Sequence, residues 1–224
     1  MKDVEAIIFD MDGCLYPLDR GAAGTFAESK FGQSVKRREV EFIAHQLGVG
    51  IDEAKSISDD VKDRHERHLS IGLEREFDIP RDVFFEFTWG VEPGEYVDKQ
   101  TNLRPFLGGL AVRPALLSAA PRIWVEKVID HLEVRDIFGE AIFCGDSDVR
   151  KPSLAAFCQV IEFLECNSEG VISIGDQEHT DILPAKLLGM VTVRIGQDTD
   201  TEADFLAPDI TTAIEKLREE GFQI

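Results

Sequence analysis

The chain has 224 residues, 43% of them hydrophobic, which suits one buried core or a core carrying an insertion. Its formal net charge is −19 and its isoelectric point lies near 4.6. Such a surface repels nucleic-acid backbones and anionic membranes, so both are excluded as partners, and an anionic substrate would need a local cation.

No apolar stretch approaches the roughly 18 residues of a membrane helix, and no charged start followed by an apolar core marks a leader. Cysteines stand at 14, 144, 158 and 166 without a C-x-x-C pair, mostly within apolar runs. That usage predicts reduced, mostly buried thiols in a cytoplasmic protein.

In chain order, Val4 to Phe9 is β-branched and aromatic without helical spacing, which predicts a short buried strand. It ends on Asp10-Met11-Asp12-Gly13. In a parallel sheet covered on both faces, ligands bind at the carboxyl edge of the strands. Residues i and i+2 of an extended segment project to one side, so Asp10 and Asp12 would face one small volume. Two carboxylates about 4 Å apart repel by roughly 4 kcal/mol at an effective dielectric of about 20. A cation or a proton must compensate them if they are buried, whereas a solvated turn needs neither.

From about residue 20 to about 98 the pattern is helical. Arg37 to Leu47 carries Val40, Ile43, Ala44 and Leu47 at helical spacing, and Ile51 to Phe77 is a long charged stretch with a sparse apolar face. Arg81 to Trp89 is aromatic, with Phe84, Phe85, Phe87 and Trp89. The linkers are expected at Pro17 to Gly24 and Pro93 to Thr101. His65 and His68, three apart on a charged helix, do not match the His-Glu-x-x-His zinc pattern.

Strands then alternate with helices. Ala115 to Leu117 ends on Ser118, and a helix runs from Arg122 to Leu132 through Trp124 and Val128. Ala141 to Gly145 is a third strand, and Lys151-Pro152 opens a helix to Leu164. Val171 to Gly175 is a fourth, ending on Asp176 with Asp181 five residues later. A helix over Ile182 to Met190, a strand over Val191 to Ile195 and a helix over Ile210 to Leu217 follow. The alternation predicts an α/β fold, a Rossmann-like parallel sheet with helices on both faces and an inserted all-helical domain.

The set Asp10-Met11-Asp12-Gly13, Ser118, Lys151-Pro152 and Gly175-Asp176 through Asp181 resembles the four motifs of the haloacid dehalogenase-like hydrolase superfamily. The resemblance implies a catalytic core over 1–19 and 99–224 and a helical cap domain over 20–98. It implies Mg²⁺-dependent phosphoryl transfer through an aspartyl-phosphate. Asp10 would be the nucleophile, Asp12 the general acid and base, and Lys151 the cation that offsets the carboxylates and the phosphate. Asp10, Asp176, Asp181 and the main-chain carbonyl of Asp12 would hold Mg²⁺, with Asp181 able to act through a water. Ser118, Ala119 and Gly13 would bind the phosphoryl group. A carboxylate at position 12 favours phosphate esters over carbon–halogen bonds, since a halide leaves without a proton.

The expected partner is a small phosphorylated substrate, and the protein itself would be a monomer or homodimer. Leu15-Tyr16 and the cap length resemble the pyrimidine 5′-nucleotidase branch. In that branch Phe84 to Trp89 would offer a stacking face for a base, unless these rings form the cap's own core. Phosphoglycolate- and sugar-phosphate phosphatases, and a phosphomutase on the same scaffold, remain alternatives. Two positions depart from the superfamily pattern: Ala119 replaces a frequent Asn, with Arg122 a candidate substitute, and Thr180 stands before Asp181. His179 reads as an exposed loop residue.

Overall fold

A computed structural model describes residues 2–19 and 26–224. Its main sheet has six parallel strands in the order β4-β3-β2-β5-β6-β7. They are β2 (Ala6–Phe9), β3 (Arg113–Leu117), β4 (Ile142–Phe143), β5 (Val171–Gly175), β6 (Val191–Ile195) and β7 (Phe205–Ala207). A separate parallel pair joins β1 (Lys2–Asp3) to β8 (Phe222–Gln223), so the two ends of the chain are stitched together. β2 and β5 are buried along their whole length, as central parallel strands covered on both faces must be.

The chain divides into two compact units, Met1–Leu18 with Val97–Ile224, and Asp19–Tyr96. The first carries the sheet and the helices α5 (Leu103–Gly108), α6 (Arg122–His131), α7 (Arg135–Phe138), α8 (Leu154–Leu164), α9 (Leu183–Leu187) and α10 (Ile210–Glu219). Ala156, Phe157, Val160 and Leu164 of α8 pack on Ala6, Ile8, Ala115 and Leu117 of the sheet. Ser153 caps α8 by accepting from Ala156 N–H, and Asp209 caps α10 through Thr212 N–H.

The second unit holds α1 (Lys30–Leu47), α2 (Ile51–Arg64), α3 (Leu69–Phe77) and α4 (Arg81–Trp89), joined around Phe42, Ile43, Ala54, Val61, Leu69, Leu73 and Phe84. The stretch expected as one long run over Ile51 to Phe77 is broken at His65–His68, where Glu66 and Arg67 adopt left-handed φ of 50° and 70°. The reason is packing. Folding back brings Val61, Leu69 and Leu73 into one core, and Gly72 permits the contact, since a Cβ there would stand 2.2 Å from Val61 Cγ1.

Other boundaries shift too. Val4 and Glu5 lie outside β2, the third strand is only Ile142–Phe143, and Pro152 precedes the α8 cap rather than opening the helix. The segment before α9 makes a π-helical turn over Glu178–Ile182. Cys14 and Cys144 are buried, Cys166 is half-buried and Cys158 is exposed, with all four thiols free. Of the first expected linker, residues 20–24 lie outside the described residues. Among the described residues no helix is long and apolar enough to cross a membrane.

Candidate active site

The register Phe9↔Ile174 aligns the ends of β2 and β5, and Asp10 N–H donates to Ile174 O at 2.9 Å. This sets Asp10 and Asp176 side by side at the carboxyl edge of two central strands. Asp181 reaches the same place from the π-helical turn, a local widening often found where a side chain must be re-aimed. One oxygen from each of Asp10, Asp176 and Asp181 lies within 4.8 Å of the others, and all three residues are buried.

Asp181 is fixed through both oxygens. Its Oδ2 accepts from the N–H groups of Asp176 and Gln177, at 3.1 and 2.9 Å, and its Oδ1 accepts from Lys151 Nζ at 2.6 Å. Gly175 makes this possible. A Cβ on it would stand 2.4 Å from Asp181 Cβ and Cγ. Gly175→Ala is therefore expected to push Asp181 off its two amides and lower kcat at least tenfold. Overpacking of this kind costs about 1–3 kcal/mol of stability, so a thermal melt and steady-state rates together check it.

Lys151, 4% exposed, also donates to Asp10 Oδ1 at 2.7 Å. Burial works against its charge, but Asp10 and Asp181 more than reverse that and hold the ammonium protonated beyond the ordinary lysine range. Asp10 moves the other way. Burial, reinforced by repulsion from Asp181 and Asp176, raises its pKa well above the usual carboxylate value despite Lys151. Three carboxylates thus face one ammonium. Asp10 Oδ2 is buried without a hydrogen-bond partner among the described residues. An oxygen-rich pocket with surplus negative charge and an unpaired buried oxygen fits a hard divalent cation.

Asp12 follows a different course from its neighbour. The turn after β2, with Gly13 at φ 89°, sends the Asp12 carboxylate toward Tyr16 and Trp124. Trp124 Nε1–H donates to Asp12 Oδ1 at 2.9 Å, and the Tyr16 hydroxyl donates to the same oxygen. Burial raises the Asp12 pKa, and both hydrogen bonds oppose that rise. Burial and the nearby Asp12 charge also raise that of Tyr16, which keeps it a phenol donor.

Ser118 follows β3 directly and is buried. Its N–H donates to Phe143 O, and its Oγ accepts from Ala120 N–H at 3.1 Å. The Ser118 and Ala120 amides are thus already engaged, and the hydroxyl hydrogen is what Ser118 can donate. Ala119 is exposed, and its carbonyl abuts Gly145 so closely that a Cβ on Gly145 would stand 1.9 Å from it. Arg122 pairs loosely with Glu126 and lines a cavity of about 260 Å³ with Phe143, Cys144 and Asp146. His179 is exposed, and His65 is bonded to Glu76.

The structure therefore unites Asp10, Lys151, Asp176 and Asp181 directly, and sets Asp12 and Gly13 on the loop after β2 and Ser118 and Ala119 on the loop after its neighbour β3. Sequence reasoning missed Tyr16 and Trp124 as partners of Asp12. A buried indole N–H and phenol each need an acceptor, but which carboxylate they find depends on the packing of α6.

The haloacid dehalogenase-like hydrolase family matches residues 4–189. A glyceraldehyde 3-phosphate phosphatase of Methanopyrus kandleri is 24% identical over 92% of this chain and 91% of its own length. A protein of the same name from Methanocaldococcus jannaschii is 25% identical over 96% and 95%. The solved structure of a HAD phosphatase from Thermococcus onnurineus has a TM-score of 0.67 at 19% identity, covering 99% of this chain and 100% of that one. The match spans four of the six strands of the main sheet and all of the site residues, and the chain belongs to the haloacid dehalogenase-like hydrolases.

Proposed function

We propose that this hydrolase is a Mg²⁺-dependent phosphomonoesterase that forms an aspartyl-phosphate on Asp10 and acts on a small sugar phosphate. The observation that carries the reading is the buried set of Asp10, Asp176 and Asp181 around Lys151. The Asp10 carboxylate attacks phosphorus, and the bond to the leaving oxygen breaks as Asp12 gives that oxygen a proton. Asp12 then takes a proton from water as it attacks the aspartyl-phosphate, and Asp10 is released. Lys151 holds Asp10 in place and faces charge on the transferring group, while the Ser118 hydroxyl and the turn at Gly13 and Ala119 bind phosphoryl oxygens. A divalent cation held by Asp10 and Asp176, with the Asp12 carbonyl and Asp181 in support, would screen the phosphoryl charge. The helical unit, inserted between β2 and β3, is read as the cap.

Sugar phosphates are favoured over pyrimidine nucleotides on two grounds. The curated relatives are named for a triose phosphate. The rings proposed to stack on a base are engaged elsewhere: Phe84 packs edge-on to Phe42, Trp89 stacks on Phe26, and Phe87 lies against Phe42 and Arg38.

The test is a Mg²⁺ panel of glyceraldehyde 3-phosphate, hexose phosphates, phosphoglycolate, UMP and CMP, read as phosphate release. Triose and sugar phosphates should exceed UMP and CMP in kcat/KM by at least about tenfold, the discrimination that a few polar contacts supply. UMP or CMP ranking first would overturn the sugar-phosphate assignment. Independently of turnover, Mg²⁺ should raise the thermal midpoint of the wild type and not of Asp176→Asn, because a ligand bound only to the folded state stabilises it.

A further inference from the structure

We infer that Tyr16 and Trp124 are positioning residues that decide which oxygen of Asp12 carries the mobile proton. The inference rests on the reading of Asp12 as acid and base. Both donors bind Oδ1, the Trp124 indole at 2.9 Å and the Tyr16 hydroxyl alongside it. A carboxylate oxygen has two lone-pair sites, and two N–H or O–H donors fill them. A proton therefore cannot sit on Oδ1 without displacing one donor. It sits on Oδ2, the oxygen left to face the leaving group and later the attacking water.

The two anchors come from different parts of the chain, which makes the clamp rigid. Tyr16 stands four residues after Asp12 on the same turn, where Cys14 and Leu15 N–H both return to Met11 O. Trp124 sits in the first turn of α6, six residues after Ser118, and is fully buried. The indole thus links the proton-transfer group to the helix that follows the phosphate-binding serine. A carboxylate free to rotate would present either oxygen and spend much of its time misaligned. An error of about 1 Å in such a group costs on the order of 10²-fold in rate.

A purely structural role for the two rings makes a different prediction, and leaving-group chemistry separates the two. A 2,4-dinitrophenolate departs without a proton, whereas an alkoxide must be protonated as the P–O bond breaks. The experiment compares kcat/KM, which reports steps up to departure of the leaving group, for glyceraldehyde 3-phosphate and 2,4-dinitrophenyl phosphate. It uses the full-length protein with Mg²⁺ as wild type, Tyr16→Phe, Trp124→Phe and Asp12→Asn. A general acid supplies about 10²–10⁴-fold. Each ring variant should lose about tenfold more on the alkyl ester than on the dinitrophenyl ester, and Asp12→Asn more than either. Equal losses on both esters for the ring variants, with a selective loss for Asp12→Asn, would overturn the clamp and leave Asp12 as the acid. Equal losses for Asp12→Asn itself would overturn the acid assignment and the clamp with it. Tyr16→Phe removes a single oxygen, so it carries the comparison alone if Trp124→Phe fails to fold.

Discussion

Asp10→Asn is expected to abolish phosphate-ester hydrolysis while leaving the protein at least as stable as the wild type in metal-free buffer. The activity side follows from chemistry. An amide is a poor nucleophile toward phosphorus, and removal of a nucleophile that acts in concert with its partners costs about 10⁴-fold or more. The stability side follows from charge. Asp10 shares a buried space with Asp176 and Asp181, and Lys151 is the cation paired with Asp10 and Asp181 among the described residues. Burial and like-charge repulsion already disfavour the ionised form of Asp10. The amide keeps the shape, retains an oxygen for Lys151 Nζ, and removes one of the repelling charges. Lys151 also keeps Asp181 at 2.6 Å. Loss of function with an unchanged or higher melting temperature marks a group kept for chemistry at a cost in stability. Wild-type turnover by this variant would remove Asp10 from the mechanism. A large drop in melting temperature would instead show that the carboxylate is a net stabiliser of the cluster.

Asp10 and Asp176 were legible in the sequence because each follows a short apolar run, and a parallel sheet gathers such endings at one edge. Lys151 and Asp181 stand on polar segments beyond such runs and were legible through the motif set they complete. Asp10 follows β2, Asp176 follows β5, and the register between those strands needs no long-range information beyond their pairing. What could not be read was orientation. Asp10 and Asp12, two residues apart, were expected to face one volume, yet only Asp10 joins the acidic cluster, while the Gly13 turn directs the Asp12 carboxylate to Tyr16 and Trp124. Tyr16 carried a substrate hint on resemblance alone, whereas its hydroxyl is bonded to Asp12. Strand β7 and the terminal pair β1–β8 escaped notice because runs of two or three residues give no periodicity to detect. The break between α2 and α3 escaped for another reason. The local sequence stays charged and helical through His65–His68, and only the burial of Val61 against Leu69 and Leu73 requires the chain to turn back there.

Lys151→Met tests the same cluster from its positive side, and here the largest loss of stability is expected. Methionine matches lysine in length and lack of branching and carries no charge. The substitution removes the 2.7 Å bond to Asp10 and the 2.6 Å bond to Asp181, both from side chains that are almost wholly buried. Breaking a buried pair from one side costs about 3–5 kcal/mol, because the partner charge stays buried without compensation. For a chain of this size that is a fall of about 10 °C in the melting temperature. The loss is not a property of lysine packing alone, and a double variant shows why. With Asn at position 10, Lys151→Met strands one carboxylate fewer, and Asp181 still accepts from two backbone amides. The double variant should therefore lie above the sum of the two single changes by about 1 kcal/mol or more, within the range of coupling seen for residues in one ion-pair network. Strict additivity in metal-free melts would mean that Asp10 and Lys151 do not act on each other. Asp10 would then be uncharged in the metal-free fold, and the surplus of negative charge that favours a divalent cation between Asp10 and Asp176 would be lost with it.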